Sequence, residues 1–297
     1  MGTLNDHHSQ ERTRVLLVGD PGQGKTSAIA MLAKIYKRVF VLDLDDGLDM
    51  AAHLLTDEEK ERVHYITIRE KIVFRNIGGK VVPTIDGVPE AFPSAVRVLN
   101  SWTDPDTGEE FGPPEEWGPD DCLVIDGLTH LAKAALWYTR YANKRMGTNL
   151  RPKDWQNAIE RVEGVVERVN SGLPCTVVMT AHLARLSADD SSDDDDDDPK
   201  TKKRKKSGGA RNSDNIFMRY PAAYGKKLPP TIGGYFNVVL QAKRVGHGAN
   251  AQYVLLTRPE PDVDVKVPAL PASLPVELPN AKLGSLVQHL QGKRKEV

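Results

Sequence analysis

Residues 19–26 read Gly19-Asp20-Pro21-Gly22-Gln23-Gly24-Lys25-Thr26, a complete G-x-x-x-x-G-K-[ST] phosphate-binding loop. No other stretch limits the possible folds so tightly. The glycines let backbone N–H groups close around phosphate oxygens, Lys25 reaches the β and γ phosphates, and the Thr26 hydroxyl can ligate Mg²⁺. Ser27 completes the candidate nucleotide-binding set. Such a loop works between a buried strand and a helix N-terminus, whose free amides supply the anion site. Both flanks are present. Arg14-Val15-Leu16-Leu17-Val18 is a short apolar run, and residues 25–36 favour a helix, with no Gly or Pro. The loop implies a nucleoside triphosphate ligand.

The rest of the chain extends this strand–helix unit. Further strands are expected at 38–43, 63–68, 121–125 and 174–180, and helices at 25–36, 47–60, 92–101, 127–145 and 153–171. Their alternation predicts an α/β fold with a mostly parallel central sheet flanked by helices. Residues 103–120 read as a turn-rich surface insertion. Residues 235–244 and 251–257 flank Val-Gly-His-Gly-Ala-Asn, the pattern of a C-terminal antiparallel hairpin that finishes the sheet. Proline-rich residues 268–279 and a short helix near 281–291 read as a tail. The expected division is a flexible arm at 1–12, an ATPase-type domain at 13–267, and the tail at 268–297. No internal repeat is seen.

Net charge is −1, so any nucleic-acid signal must be local. The two cysteines, Cys122 and Cys175, lie in predicted strands and give neither a disulfide framework nor metal-ligand spacing, which fits a reducing cytosol. The N-terminus lacks a signal pattern, Asp6 is unsuited to a myristoylation signal, and no apolar run approaches membrane-spanning length. A cytoplasmic protein without a membrane partner is expected.

Residues 187–214 break the pattern. Eight aspartates fall within 189–198 and six basic residues within 200–206. Nothing there offsets the entropy of ordering, so disorder in the free chain is expected. One reading is a solvated linker whose opposite charges screen each other. The other is an arm whose basic half, including Lys202, Lys203, Arg204, Lys205 and Lys206, meets nucleic-acid phosphates while the acidic half competes. The basic run also fits a nuclear import signal, discounted unless the source is eukaryotic.

Hydrolysis needs a carboxylate for Mg²⁺ and another to orient water. Cys122-Leu123-Val124-Ile125-Asp126 ends a strand and supplies the first. Val41-Leu42-Asp43-Leu44-Asp45-Asp46-Gly47 supplies the second; Asp45 is the choice and Asp46 the fallback. His182, after Val177-Val178-Met179-Thr180-Ala181, is placed at a strand's carboxyl end to sense the γ-phosphate. Asn143-Lys144-Arg145-Met146 lacks the final acid of a guanine motif, so ATP is expected over GTP.

Together these segments resemble the RecA-like P-loop ATPases, most closely the phage-encoded AAA-type nucleotide-binding proteins linked to single-strand annealing. The loop is weakly specific. Residues 42–49 resemble the family's second-strand motif, with Asp45 where the family has Glu. Residues 117–131 resemble the phage branch's magnesium motif, with Gly127 where Ser is frequent, and are the most specific match. His182 stands where Gln is common.

The resemblance, over roughly residues 13–267 outside the charged arm, implies a Mg²⁺-dependent ATPase working as a ring or filament in recombination on single-stranded DNA. Asp45, one methylene shorter than Glu, implies weak turnover. The resemblance also places a DNA-contacting loop at 183–232, where Phe217, Tyr220 and Tyr224 interleave with Arg211, Arg219, Lys226 and Lys227, a mix suited to single strands. Trp137, Tyr138, Arg140, Tyr141, Lys144 and Arg145 form a second cluster, expected to pack rather than to bind DNA. Arg258 and Lys266 are candidates for a cation supplied to the neighbouring subunit. A single-strand-binding protein is a further candidate partner, and a phage protein would act in the bacterial host cytoplasm. The alternative is a nucleotide-dependent regulator or loader of a replication or recombination complex, with little affinity for DNA. A small-molecule kinase is disfavoured by the acidic 103–120 segment.

Overall fold

Arg14–Val18 (β1) puts Leu16 and Val18 on one face and Val15 and Leu17 on the other, and all four are buried. A strand alternates its side chains, so an apolar run on both faces must lie between two covering layers. The same holds for Arg38–Asp43 (β2), where Phe40 and Leu42 face one core and Val39 and Val41 the other. This computed structural model describes residues 12–186, 218–223, 228–268 and 274–292.

Between β1 and β2 the chain runs through the glycine loop into Lys25–Ala30 (α1) and a tighter 3₁₀ turn, Met31–Lys34. After β2 come two short helices, Asp49–Ala52 (α2) and Asp57–Lys60 (α3), where one helix over 47–60 was expected. The break is local chemistry. Thr56 caps α3 by accepting from the Glu59 amide at 3.3 Å, and the Glu59 carboxylate takes the Thr56 N–H at 2.9 Å. Val63–Thr67 (β3) follows. Next is an unforeseen hairpin, Ile72–Ile77 (β4) and Lys80–Ile85 (β5), turned by Gly78 and Gly79 at positive φ.

Ala91–Asn100 (α4) leads into a small hairpin, Trp102–Thr103 (β6) and Glu110–Gly112 (β7). The 103–120 segment is therefore only partly a surface insertion. Its Trp117 is buried, stacks on Phe40 at 3.9 Å between ring centroids, and donates its indole N–H to the Phe111 carbonyl at 2.9 Å. Asp121–Asp126 (β8), Leu128–Ala142 (α5), Pro152–Ser171 (α6) and Thr176–Ala181 (β9) match the predicted pattern.

Leu183–Leu186 (β10) then pairs antiparallel with Met218–Pro221 (β11), a two-stranded ribbon rooted beside His182. Leu228–Thr231 (α7) precedes Val238–Val245 (β12) and Gln252–Leu256 (β13), the expected C-terminal hairpin. Glu277–Pro279 (β14) and Leu283–Leu290 (α8) finish the chain's described part.

The main sheet has the order β14-β13-β12-β1-β9-β8-β2-β3, parallel from β12 to β3 and antiparallel at β13 and β14. One strand, β9, separates the loop-bearing β1 from the acid-bearing β8. This is the RecA-like P-loop NTPase arrangement. α5 and α6 cover one face, and α1 and α8 the other. The segment read as a tail is part of this body: β14 pairs with β13, and Leu283, Leu286 and Val287 are buried in the core that holds α1. Among the described residues no helix is long and apolar enough to cross a membrane.

Candidate active site

Parallel pairing brings the carboxyl ends of β1, β9, β8 and β2 to one edge, so the residues just after Val18, Ala181, Asp126 and Leu42 share a crevice. The register sets Asp43 directly beside Asp126. Gly19 passes so close to β12 that a Cβ there would meet the Ala242 carbonyl oxygen at 2.7 Å, and its amide donates to the Ala181 carbonyl. Gly24 has φ 84° and lies against the Tyr253 ring, where a Cβ would come within 2.8 Å. Asp20, Pro21 and Gly22 form the open side of the turn. Gln23 accepts from the Arg244 amide, which pins the loop to the end of β12. Ser27 is half-buried in the first turn of α1.

Lys25 is 6% exposed and folds across the loop. Its ammonium donates to the Gly19 carbonyl at 2.8 Å and the Asp20 carbonyl at 3.1 Å, and lies 3.2 Å from His182 Nδ1. Burial lowers its pKa, opposed by the charges of Asp126, Asp45 and Asp20. Thr26 Oγ1 donates to Asp126 Oδ2 at 3.4 Å. Thr180 donates to the other Asp126 oxygen, and Gly127 N–H donates to Thr180 Oγ1 at 2.9 Å. Burial pushes the Asp126 carboxyl up to about 6, with Asp43 and Asp45 adding to the rise.

These groups suit Mg²⁺. A hydroxyl and a carboxylate are hard oxygen donors, and a buried carboxylate reluctant to ionise is one that a cation would stabilise. Thr26 and Asp126 are the residues that would hold it.

Asp45 and Asp46 are separated by the backbone. Buried Asp43 accepts from both their amides, at 3.1 Å and 2.7 Å, and this turn holds Asp46 at φ 56°. Asp46 then pairs with Arg69 at 2.9 Å, outside the crevice. Asp45 turns inward, its two oxygens 3.5 Å from His182 Nε2 and 3.3 Å from His130 Nδ1. The His182 contact chiefly lowers the Asp45 pKa, against burial, and the charges of His130 and Lys25 act in the same direction. Lys25, Thr26, Asp45, Asp126 and His182 are thus brought together. His130 joins them without having been foreseen. Its only sequence signal is its position four residues after Asp126 on the following helix.

The remaining candidates are placed differently. Lys202, Lys203, Arg204, Lys205, Lys206, Arg211, Phe217, Tyr224, Lys226 and Lys227 lie outside the described residues. Arg219, on β11, is not a free cation: it forms a bidentate pair with Asp262 at 2.6 and 3.1 Å and reaches Asp20 of the loop at 3.5 Å. Its charge is satisfied by acids that the linear sequence keeps far away. Tyr220 is half-buried beside it, and with Lys266 both line a groove of about 200 Å³ under the ribbon. Lys266 donates to the Phe236 carbonyl at 2.9 Å and pairs with Val239, near the amino end of β12. Arg258 is half-buried just past β13. In the second aromatic cluster Arg140 lies over Trp137, Arg161 over Tyr138, and Arg145 pairs with Asp154, while Tyr141 stays exposed.

A protein-family model described as an AAA domain matches residues 11–268. No curated protein matches the chain. Among solved structures, a KaiC-like protein from the archaeon Pyrococcus horikoshii is similar at 14% identity, with 86% of this chain and 82% of that one covered and a TM-score of 0.36. The flagellar accessory protein FlaH from Methanocaldococcus jannaschii shows 10% identity, 89% and 83% coverage, and a TM-score of 0.38. The EscN ATPase of the enteropathogenic E. coli type III secretion system, in complex with its central stalk EscO, shows 9% identity, 85% and 48% coverage, and a TM-score of 0.41.

Proposed function

Because the chain belongs to this AAA domain family, a group of nucleotide-binding ATPase type, we propose that it hydrolyses ATP to drive recombination on single-stranded DNA, by annealing or strand exchange, as in the phage-encoded branch. One observation carries the reading. The two-stranded ribbon that bears the charged segment starts at His182, the residue that touches both Lys25 and Asp45.

In this reading the loop amides and Lys25 hold the β and γ phosphates. Thr26 and Asp126 would hold Mg²⁺, which would supply neutralisation of the charge on the phosphate oxygens. Asp45 orients the attacking water and takes its proton as the water oxygen bonds to the γ-phosphorus and the bond to the ADP oxygen breaks. A phosphate that draws Lys25 forward frees His182 Nδ1. His182 is anchored at the root of the ribbon, where its amide donates to Thr129 and its carbonyl accepts from Ala222. Arg219 holds the far strand of the ribbon to Asp20. Nucleotide state then reaches the charged segment from two sides of the site. Self-assembly into a ring or filament completes the proposal, with Arg258 or Lys266 as a cation given to the neighbour.

The test is the ATPase rate with and without single-stranded DNA, alongside a gel-filtration mass. DNA stimulation together with assembly supports the recombinase. A DNA-indifferent rate in a monomer favours the regulator or loader.

A further inference from the structure

Asp45 and His182 follow the ends of β2 and β9, His130 lies in the first turn of α5 after β8, and one ligand atom from each lies within 4.8 Å of the other two. We infer that these three side chains form a site for a borderline first-row transition metal of the Zn²⁺ class, distinct from the oxygen-only Mg²⁺ pair of Thr26 and Asp126.

The spacing fits. Metal–nitrogen and metal–oxygen bonds near 2.0–2.1 Å in a tetrahedron put neighbouring ligand atoms about 3.3 Å apart. The observed separations are 3.3 Å from Asp45 Oδ1 to His130 Nδ1 and 3.5 Å from Asp45 Oδ2 to His182 Nε2, so each carboxylate oxygen lies at ligand spacing from one imidazole. The donor set also fits, because two imidazoles and a carboxylate suit Zn²⁺ and its neighbours better than Mg²⁺, which prefers oxygen.

A second observation is independent of the cluster's shape. His130 Nδ1 is fully buried, yet its geometry toward Asp45 makes no hydrogen bond, and it has no other partner among the described residues. A buried, unsatisfied ring nitrogen is costly, and coordination would satisfy it. Gly127 keeps the space open. A Cβ there would press on Leu44, the Asp45 amide and His130 Nδ1 at 3.3, 3.4 and 3.5 Å.

Lys25 competes with this ion. Its ammonium has no lone pair, so at 3.2 Å it must donate to His182 Nδ1, which leaves the ring proton on Nε2, facing Asp45. Metal binding needs the Nε2 lone pair, so the proton must shift to Nδ1 and Lys25 must withdraw. The ion also takes Asp45 out of water activation, a consequence that rests on the proposed hydrolysis; the site itself does not.

The experiment uses the full-length, chelator-stripped protein without nucleotide, titrated with Zn²⁺ by calorimetry and with Co²⁺ by visible absorption. One ion per chain is expected here, with the d–d bands of a four-coordinate site. His130→Ala and Asp45→Asn should each weaken binding by at least about tenfold, and Thr26→Ala should not change it. Lys25→Met should strengthen it several-fold, which gives a second variant that moves affinity the other way. Equal Zn²⁺ affinity in wild type and His130→Ala, with matching thermal melts, overturns the site. Because no nucleotide is present, this result is separate from the success or failure of the ATPase proposal.

Discussion

Replacing Asp126 with Asn should make the nucleotide-free protein more stable while disabling it. The carboxyl is 1% exposed and its pKa rises from 3.8 to about 6, chiefly through burial. A rise of about 2 units corresponds to about 3 kcal/mol at 1.36 kcal/mol per unit. The sign follows from the two states. Between about pH 4 and 6 native Asp126 keeps a proton that the unfolded chain has released, so stability falls as pH rises through that window. By about pH 7.5 the full cost of the buried charge is present, against about 1 kcal/mol at pH 4.5.

Asparagine has the same shape and no charge. It still accepts from Thr180, and its N–H₂ can donate to Thr26 Oγ1. Asp126→Asn should therefore gain on the wild type by an amount that grows by about 2 kcal/mol from pH 4.5 to 7.5. Urea unfolding in chelator, with no nucleotide, reads this as a shift of midpoint at constant slope. A difference that stays flat with pH, or a wild type more stable at pH 7.5, refutes the reasoning. In the same variant Mg²⁺-dependent turnover should vanish, since the neutral amide no longer attracts the ion.

Four further outcomes are expected. Lys25→Ala should abolish ATP binding by calorimetry, and an unchanged ATPase rate would remove the loop from the site. Asp45→Asn should cut turnover by about 100-fold or more while nucleotide affinity stays within about threefold, separating water activation from binding. Trp117→Ala should cost about 3–5 kcal/mol in chemical unfolding, because it empties a buried stack on Phe40; a loss under about 1 kcal/mol would return the segment to the surface. Deleting residues 189–206 should weaken single-stranded DNA binding and flatten its salt dependence, and an unaltered slope would leave the segment a linker.

What could be read in the sequence depended on how far apart the partners were. β1, β2, β8 and β9 announce themselves because strands buried on both faces are uninterrupted apolar runs, and the glycine loop because its conformations need glycine. Two further features have local signals in the sequence: the Thr56–Glu59 capping box that splits the helix, and Gly78-Gly79, which turns β4 into β5. Others were not local. His130 is a ring on a helix until β8 pairs with β2 and brings Asp45 beside it. Arg219 reads as a cation for DNA until Asp262 and Asp20, 43 and 199 residues away, take its charge. Residues 268–297 read as a proline-rich tail because the prolines are visible in the sequence and the pairing of β14 with β13 is not.

The donor count at Lys25 ties the site together. An ammonium has three N–H bonds, and here they face Gly19 O, Asp20 O and His182 Nδ1. A phosphate can be bound only if one of these partners is given up. The two carbonyls belong to the loop itself and move with it, so keeping them costs no change of position. His182 belongs to a neighbouring strand end, and its contact, at 3.2 Å, is the longest of the three. It is therefore the partner most readily surrendered. Once released, its ring has Asp45 on one side and a free nitrogen on the other, while its backbone remains fixed to Thr129 and Ala222 at the base of the ribbon. A change in what Lys25 holds thus becomes a change in the residue from which β10 departs.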